Sequence, residues 1–158
     1  MSTPKKNYEK FGSRNFVPST AGANGDGEGD IIFIGTGHEG EDVGAGQIYY
    51  MATDGNGGVE WLITDADAES TSKNLLAVAM ASGQPSDVGM LLRGMVTLRN
   101  APGVGAGIPL FLSTTAGACN RVAPSATGDV VRVIGYNIND TANAQIWFNP
   151  DSTYIVIA

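Results

Sequence analysis

The sequence predicts an all-β protein, either a small barrel or a sandwich, with an extended arm at its N-terminus. Short apolar runs of strand length recur along the chain, and 22 glycines with no collagen-like period separate them. No amphipathic helix is evident beyond one turn around residues 66–72. A 158-residue chain with 42 % hydrophobic and 16 % charged residues is long enough to bury one core, so a single folded domain is expected.

The strands follow one another at regular spacing, which is typical of a sandwich or a barrel. Asp54-Gly55-Asn56-Gly57-Gly58 has the chemistry of a hairpin turn, so the runs on either side of it are expected to pair. A polar loop is expected over 65–73 and a turn over 83–89. The predicted strands are 31–34, 47–52, 59–63, 75–80, 90–98, 109–113, 130–138, 145–148 and 154–157.

An internal repeat organises the predicted domain, which spans 31–158. Val43-Gly44-Ala45-Gly46 recurs as Val104-Gly105-Ala106-Gly107, and each copy leads into a strand that ends in threonine: QIYYMAT and IPLFLST. LLAVAM and then MLLRGMV follow the first copy, while VVRVIGY and then AQIWFN follow the second. The sequence therefore predicts two similar three-stranded units, about 43–98 and 104–158, packed together into one barrel or sandwich.

The N-terminal segment differs in charge from the rest of the chain. Residues 1–17 contain four basic residues and one acid, a local charge of +3, which leaves −10 on the other 141 residues. Such an acidic body argues against a nucleic-acid groove. Residues 1–30 are expected to form an attachment arm, whose aromatic side chains either dock on a neighbouring subunit or fold back on their own domain.

No familiar catalytic or metal-binding pattern emerges, so neither enzymatic activity nor a cofactor is expected. His38 lies in a glycine-rich acidic loop without a nucleophile or a second ligand at metal spacing. Cys119 has no partner for a disulfide and is interpreted as a free thiol. Asp65, Asp67 and Glu69 alternate, but an EF-hand loop needs glycine at its sixth position, where this chain has Ser70. No apolar run suits a signal peptide or a membrane span, so a soluble protein made in a cytoplasm is expected.

Several segments from residue 43 onward resemble a module of the structural proteins of tailed-bacteriophage virions. They are GQIYYM from Gly46, Trp61 with the following TDADAEST, GMLLRG from Gly89, PLFLSTTAG from Pro109, PSATGDVVRVIGY from Pro124 and IWFNP from Ile146. The resemblance covers residues 43–158 and contains no active site. It implies a virion location, contact with the major capsid protein or other virion proteins, and a homotrimer. No nucleic-acid or membrane role is expected.

Two virion roles stay open at this point, a capsid decoration (cement) protein and a tail, neck or head fibre subunit. The length and the arm favour decoration, in which a trimer would stabilise the outer shell through its arms. Tyr49, Tyr50, Trp61 and Trp147 could also stack on sugars, although aromatic residues in alternating strands are more often core. The partner contacts expected are Lys5, Lys6, Tyr8, Lys10, Phe11, Arg14 and Phe16 in the arm, and Ile31, Ile32, Phe33 and Ile34 by strand-edge pairing.

Overall fold

The all-β prediction is confirmed by the computed structural model, which describes residues 23–138 and 145–158. Ten strands of the described residues form one mixed sheet, and two more form a small separate sheet. The strands are β1 (Gly27–Ile32), β2 (Thr36–Gly37), β3 (Ile48–Thr53), β4 (Val59–Ile63), β5 (Leu76–Ala79), β6 (Met90–Thr97), β7 (Pro109–Leu112), β8 (Cys119–Asn120), β9 (Val130–Val131), β10 (Val133–Asn137), β11 (Gln145–Phe148) and β12 (Ile155–Val156).

Within residues 23–138 and 145–158, helical structure is confined to short turns. The expected turn near 66–72 is a 3₁₀ turn at Glu69–Thr71, and a second 3₁₀ turn spans His38–Gly40. The segment 83–89, predicted to be a turn, contains the four-residue helix α1 (Pro85–Val88). Pro85 begins this helix because its fixed φ suits the first helical position, where no backbone donor is needed.

The two repeat units have the same strand order. In the first unit, β3 pairs with β4 on one side and β5 on the other, and β5 pairs with β6. In the second, β7 pairs with β8 and β10, and β10 pairs with β11. The last strands of the two units, β6 and β11, pair antiparallel and join the halves. Each unit thus has a fourth strand beyond the predicted three. In the first unit this is β4, which was predicted as a strand paired with β3 but was not counted in the unit, and in the second it is the two-residue β8, which was not predicted.

Equivalent turns introduce the two units. Gly46 N–H donates to the Ala79 carbonyl at 2.8 Å, and Gly107 N–H donates to the Asn137 carbonyl at 2.7 Å. Ala79 and Asn137, at the ends of β5 and β10, donate in return to the residue after each glycine, both at 3.0 Å. Both glycines adopt a positive φ, +73° and +76°, which explains why each copy of the VGAG turn ends in glycine.

Strand β1 starts earlier than expected. Residues 27–30 were predicted to belong to the arm, but they pair with β6, and the strand ends at Ile32 rather than Ile34. The backbones of β1 and β6 approach each other closely because residue 29 is glycine. A Cβ at Gly29 would lie 2.1 Å from the carbonyl oxygen of Arg93. A strand with so little apolar side chain gives no hydrophobic pattern, and for this reason sequence analysis placed its first half in the arm.

Both units contribute to one main core. Ile48 and Val78 from the first unit pack there with Leu110, Ile134 and Phe148 from the second. The alternate residues of β3 and β5 face the other way and build a second cluster around Tyr49, Trp61, Ala77 and Met90. Ile32 and Val88 pack against this second cluster, so the end of β1 and helix α1 cover the outer face of the first unit.

The loop after β4 joins the two ends of the curled sheet. Gly117, next to β8, accepts from Ile48 N–H at 2.9 Å and donates to the Thr64 carbonyl at 2.8 Å. Ala66 donates to the Ser113 carbonyl at 2.9 Å and accepts from Val130 at 2.7 Å. Buried main-chain groups need such partners, so these bonds hold the two units together at the end opposite the β6–β11 pair.

Arg132 interrupts the predicted strand 130–138. Val130 and Val131 pair with β12 in the small sheet, whereas Val133 onward pairs with β7 and β11 in the large one. The Arg132 side chain is buried and donates to three backbone carbonyls, those of Ser72, Asn74 and Asp151. Burial lowers the pKa of the guanidinium. The residue that divides the strand therefore also ties a first-unit loop to the segment after β11.

Candidate interaction surfaces

The 31–34 segment, predicted to be a partner contact, forms an exposed apolar patch. Ile31 is 38 % exposed, Phe33 60 % and Ile34 38 %, whereas Ile32 is half-buried against the second core cluster. We call Ile31, Phe33 and Ile34 the apolar patch. A single exposed apolar side chain is ordinary on a protein surface, but three within four residues make a local surface suited to a partner.

Neighbouring elements fix the backbone beneath the apolar patch. The indole Nε1 of Trp61 donates to the Ile34 carbonyl at 2.9 Å, and Trp61 itself is fully buried. A Cβ at Gly89 would lie 2.8 Å from Ile31 Cγ2 and 3.0 Å from Phe33 Cζ, so both side chains lie against that glycine. The patch is therefore presented by an ordered segment, and a partner that covers it need not order this segment first.

Strand addition through residues 31–34 stays a prediction. Ile31 and Ile32 pair along one edge with Leu91 and Met90 of β6, and Phe33 and Ile34 lie outside any strand. Among the described residues no strand pairs with the other edge of β1. The segment also offers a partner side-chain surface. The seven expected arm contacts, from Lys5 to Phe16, lie outside the described residues.

The aromatic residues considered for sugar stacking separate into core and surface. Trp61 and Tyr49 are buried, and the Tyr49 hydroxyl accepts from Gly44 N–H at 2.7 Å. Tyr50 is half-buried and also packs against the main core. Trp147 is half-buried, with the Arg93 guanidinium carbon 5.6 Å from its ring centroid. Its cross-strand neighbour on β10 is Tyr136, 45 % exposed, a surface aromatic residue that sequence analysis did not single out.

The residues considered for catalysis make contacts within the fold. His38 is exposed, and its Nδ1 lies 3.1 Å from the carboxylate of Glu60. Cys119 is buried in the main core, and burial raises the pKa of its thiol to about 12. The Asp65 carbonyl accepts from the hydroxyls of Thr71 and Ser72, so the acidic loop is held by its backbone. Among the described residues, no three His, Cys, Asp or Glu side chains are grouped to hold a metal ion.

Comparison with known proteins identified no relative of this chain. No protein-family model, no curated protein and no solved structure matches this chain. In the ranges 23–138 and 145–158, no helix has the length and apolar character needed to cross a membrane.

Proposed function

We propose that this chain is a non-enzymatic structural protein of a tailed-phage virion, and that it decorates the capsid. The observation that carries the proposal is the apolar patch, held outward by Trp61 directly after the predicted attachment segment. The resemblance over residues 43–158 gives the virion context. In this role the protein binds the outer shell as an oligomer and stabilises it.

Stabilisation of a shell follows from the apolar area that is buried between subunits. Covering a side chain as exposed as Phe33 contributes about 1–2 kcal/mol per contact at ordinary transfer coefficients. A trimer repeats this weak contact three times, and the second and third contacts form at high effective concentration. Lys5, Lys6, Lys10 and Arg14 would add charge contacts to an acidic shell, while Tyr8, Phe11 and Phe16 would add apolar ones.

The test mixes purified protein with undecorated capsids of the encoding phage and images the particles by cryo-electron microscopy. We expect regular density at threefold or quasi-threefold positions. Deletion of residues 1–17 should leave the circular dichroism spectrum of the domain unchanged and abolish binding. Phe33→Ser should weaken co-sedimentation with the shell at least about tenfold, because about 1.4 kcal/mol of contact is lost at every copy.

Val122→Ser is the matched control, since Val122 is 66 % exposed and lies outside the apolar patch. It should bind the shell like the unchanged protein. Equal binding by the deletion variant would overturn the arm as the attachment element, and equal binding by Phe33→Ser would overturn the patch. Bare shells, with density only at the portal vertex or the tail of native virions, would overturn decoration and favour a fibre subunit.

A fibre subunit that recognises saccharide is the second candidate, because Trp147 and Tyr136 are adjacent aromatic residues with partly exposed side chains. Aromatic faces of this kind stack on sugar rings, and Arg93 supplies a nearby donor. Host-cell binding would test this role. It should fall with Trp147→Ala and with Tyr136→Ala while incorporation of the protein into virions is unaffected.

A further inference from the structure

A cleft opens where the two half-sheets diverge from β6. Strand β5 pairs with Met90 and Leu91 of β6, and β11 pairs with Gly94–Thr97, so the two residues between them pair with neither strand. The register of β1 also shifts here and passes over Leu92. The resulting cleft has a volume of about 420 Å³, a size that suits a small ligand or a few residues of a peptide.

Basic side chains are concentrated at this cleft. Only five of the nine Lys and Arg residues lie beyond residue 17, and three of them, Lys73, Arg93 and Arg132, line the cleft without any acidic residue among the lining positions. The cleft is thus locally +3 within a body whose net charge is −10. In the described part of the chain, none of the three forms an ion pair within 4.0 Å. Asp151, between the lining residues Pro150 and Ser152, interacts electrostatically with Arg132 but forms no ion pair with it, so the positive charge is only partly offset. Such a concentration of positive charge attracts an anion.

Arg132 supplies a preorganised donor. The side chain is only 5 % exposed, and its Nε and Nη1 atoms are held by three carbonyls at 2.6–2.8 Å. Its Nη2 amino group has no hydrogen-bond acceptor among the described residues. Since the guanidinium is planar and already fixed, an anionic oxygen can accept from Nη2 at little entropic cost. Arg93 is also oriented, by its contact with the Trp147 ring.

The apolar lining of the cleft distinguishes between classes of anion. Leu75, Leu76, Leu92 and Pro150 contribute aliphatic surface, and Leu75 is 49 % exposed. No aromatic ring lines this cleft, and Trp147 lines the neighbouring pocket. Sugar sites depend on free aromatic faces, whereas aliphatic side chains of a peptide pack well on leucine and proline.

We propose that this cleft binds an acidic segment of a partner protein, in which an Asp or Glu carboxylate meets Arg132 and Arg93 and an aliphatic side chain covers Leu75 and Leu92. The proposal deepens the structural role and rests on it only in taking the partner to be a protein. It adds a second contact region, with a chemistry different from that of the apolar patch.

The test is a titration of the full-length ¹⁵N-labelled protein with two end-blocked peptides, Leu-Asp-Asp-Leu and Leu-Asn-Asn-Leu, followed by NMR. The acidic peptide should produce saturable shifts of the Leu92, Arg93 and Asn149 amides with a Kd of about 1 mM, and the amide peptide should bind at least about tenfold more weakly. The double variant Lys73→Gln/Arg93→Gln should lose the response. The charge-matched control Arg99→Gln/Arg121→Gln should keep it, because both control residues lie outside the cleft.

Three results would overturn the proposal. One is the absence of saturable shifts at about 10 mM acidic peptide. Another is an unchanged response in Lys73→Gln/Arg93→Gln, which would locate binding elsewhere. The third is equal or tighter binding of glucuronate, which would identify a saccharide site. Capsid binding by the same variants is measured separately, so failure of the decoration role and failure of the cleft are distinguished.

Discussion

At the scale of single residues, buried polar atoms decide how the surface is presented. The Trp61 indole lies in the core, yet its N–H reaches the Ile34 carbonyl and fixes the segment that carries the apolar patch. Arg132 also does two things, because it donates to three carbonyls and lines the cleft. In both cases a residue that stabilises the fold also shapes the surface beside it.

Cys119 gives a residue-scale prediction about pH. Its pKa is about 12 in the folded chain and about 9 when unfolded, so the unfolded chain releases the proton first as the pH rises. This contribution to the free energy of unfolding is therefore intact below pH 9 and decreases between pH 9 and 12. At about pH 10 the decrease is about 1.4 kcal/mol.

Urea unfolding at about pH 7 and 10 of the unchanged protein and of Cys119→Ala measures this contribution, since other titrating groups affect both proteins alike. The stability difference between the two should change by about 1.4 kcal/mol in favour of the alanine variant at the higher pH. A pH-independent difference would contradict the burial argument. The native thiol should also react far more slowly with a disulfide reagent than the thiol in urea.

At the scale of elements, two VGAG turns with nearly equal φ angles have different surroundings. A Cβ at Gly46 would lie 2.6 Å from the Arg99 backbone nitrogen, whereas a Cβ at Gly107 would meet nothing within 4 Å. The first turn is enclosed by the chain that follows β6, and the second is open to solvent. The repeat therefore produces the same local backbone in two unlike environments.

Alanine substitution should separate backbone strain from steric conflict at these turns. Gly107→Ala is expected to cost about 1 kcal/mol, the usual strain of a left-handed non-glycine residue. Gly46→Ala carries the same strain and also displaces backbone, so a loss of about 3 kcal/mol or more is expected. Urea unfolding of both variants provides the measurement. If the two variants lost equal free energy of unfolding, the close backbone contacts around Gly46 would add nothing to the cost of substitution.

At the scale of the whole molecule, the halves depend on each other. The main core draws side chains from both units, the β6–β11 pair joins them at one end, and the loop through Thr64 and Ala66 joins them at the other. Neither unit can bury its apolar face alone. Small domains with one shared core usually unfold in a single transition.

The two tryptophans report separately on the units, Trp61 on the first and Trp147 on the second. In Trp147→Phe, the fluorescence of Trp61 should change at the same urea concentration as the far-ultraviolet circular dichroism. In Trp61→Phe, the fluorescence of Trp147 should likewise follow circular dichroism, at a lower midpoint because a buried indole and its hydrogen bond are lost. A fluorescence change that precedes the loss of strand signal in either variant would contradict cooperative unfolding.

Sequence by itself determined the fold class, the repeat and most strands, because these depend on local patterns. The runs 59–63 and 145–148 were predicted with their observed limits, as alternating and β-branched apolar residues make strong strands. The 31–34 segment was predicted to contact a partner, and that stays a prediction. No local pattern, however, indicated that glycines 27 and 29 would pair with β6.

Only the tertiary structure decided which strands meet and where surfaces form. The pairing of β6 with β5, β11 and β1 depends on residues far apart in the chain, and it opens the cleft that collects Lys73, Arg93 and Arg132. Those cations are 59 positions apart from first to last, so no spacing rule brings them together. Likewise, Trp61 is buried and Trp147 is half-buried, although both lie in short apolar runs of the sequence. Local patterns specify elements, and the packing of distant elements makes a site.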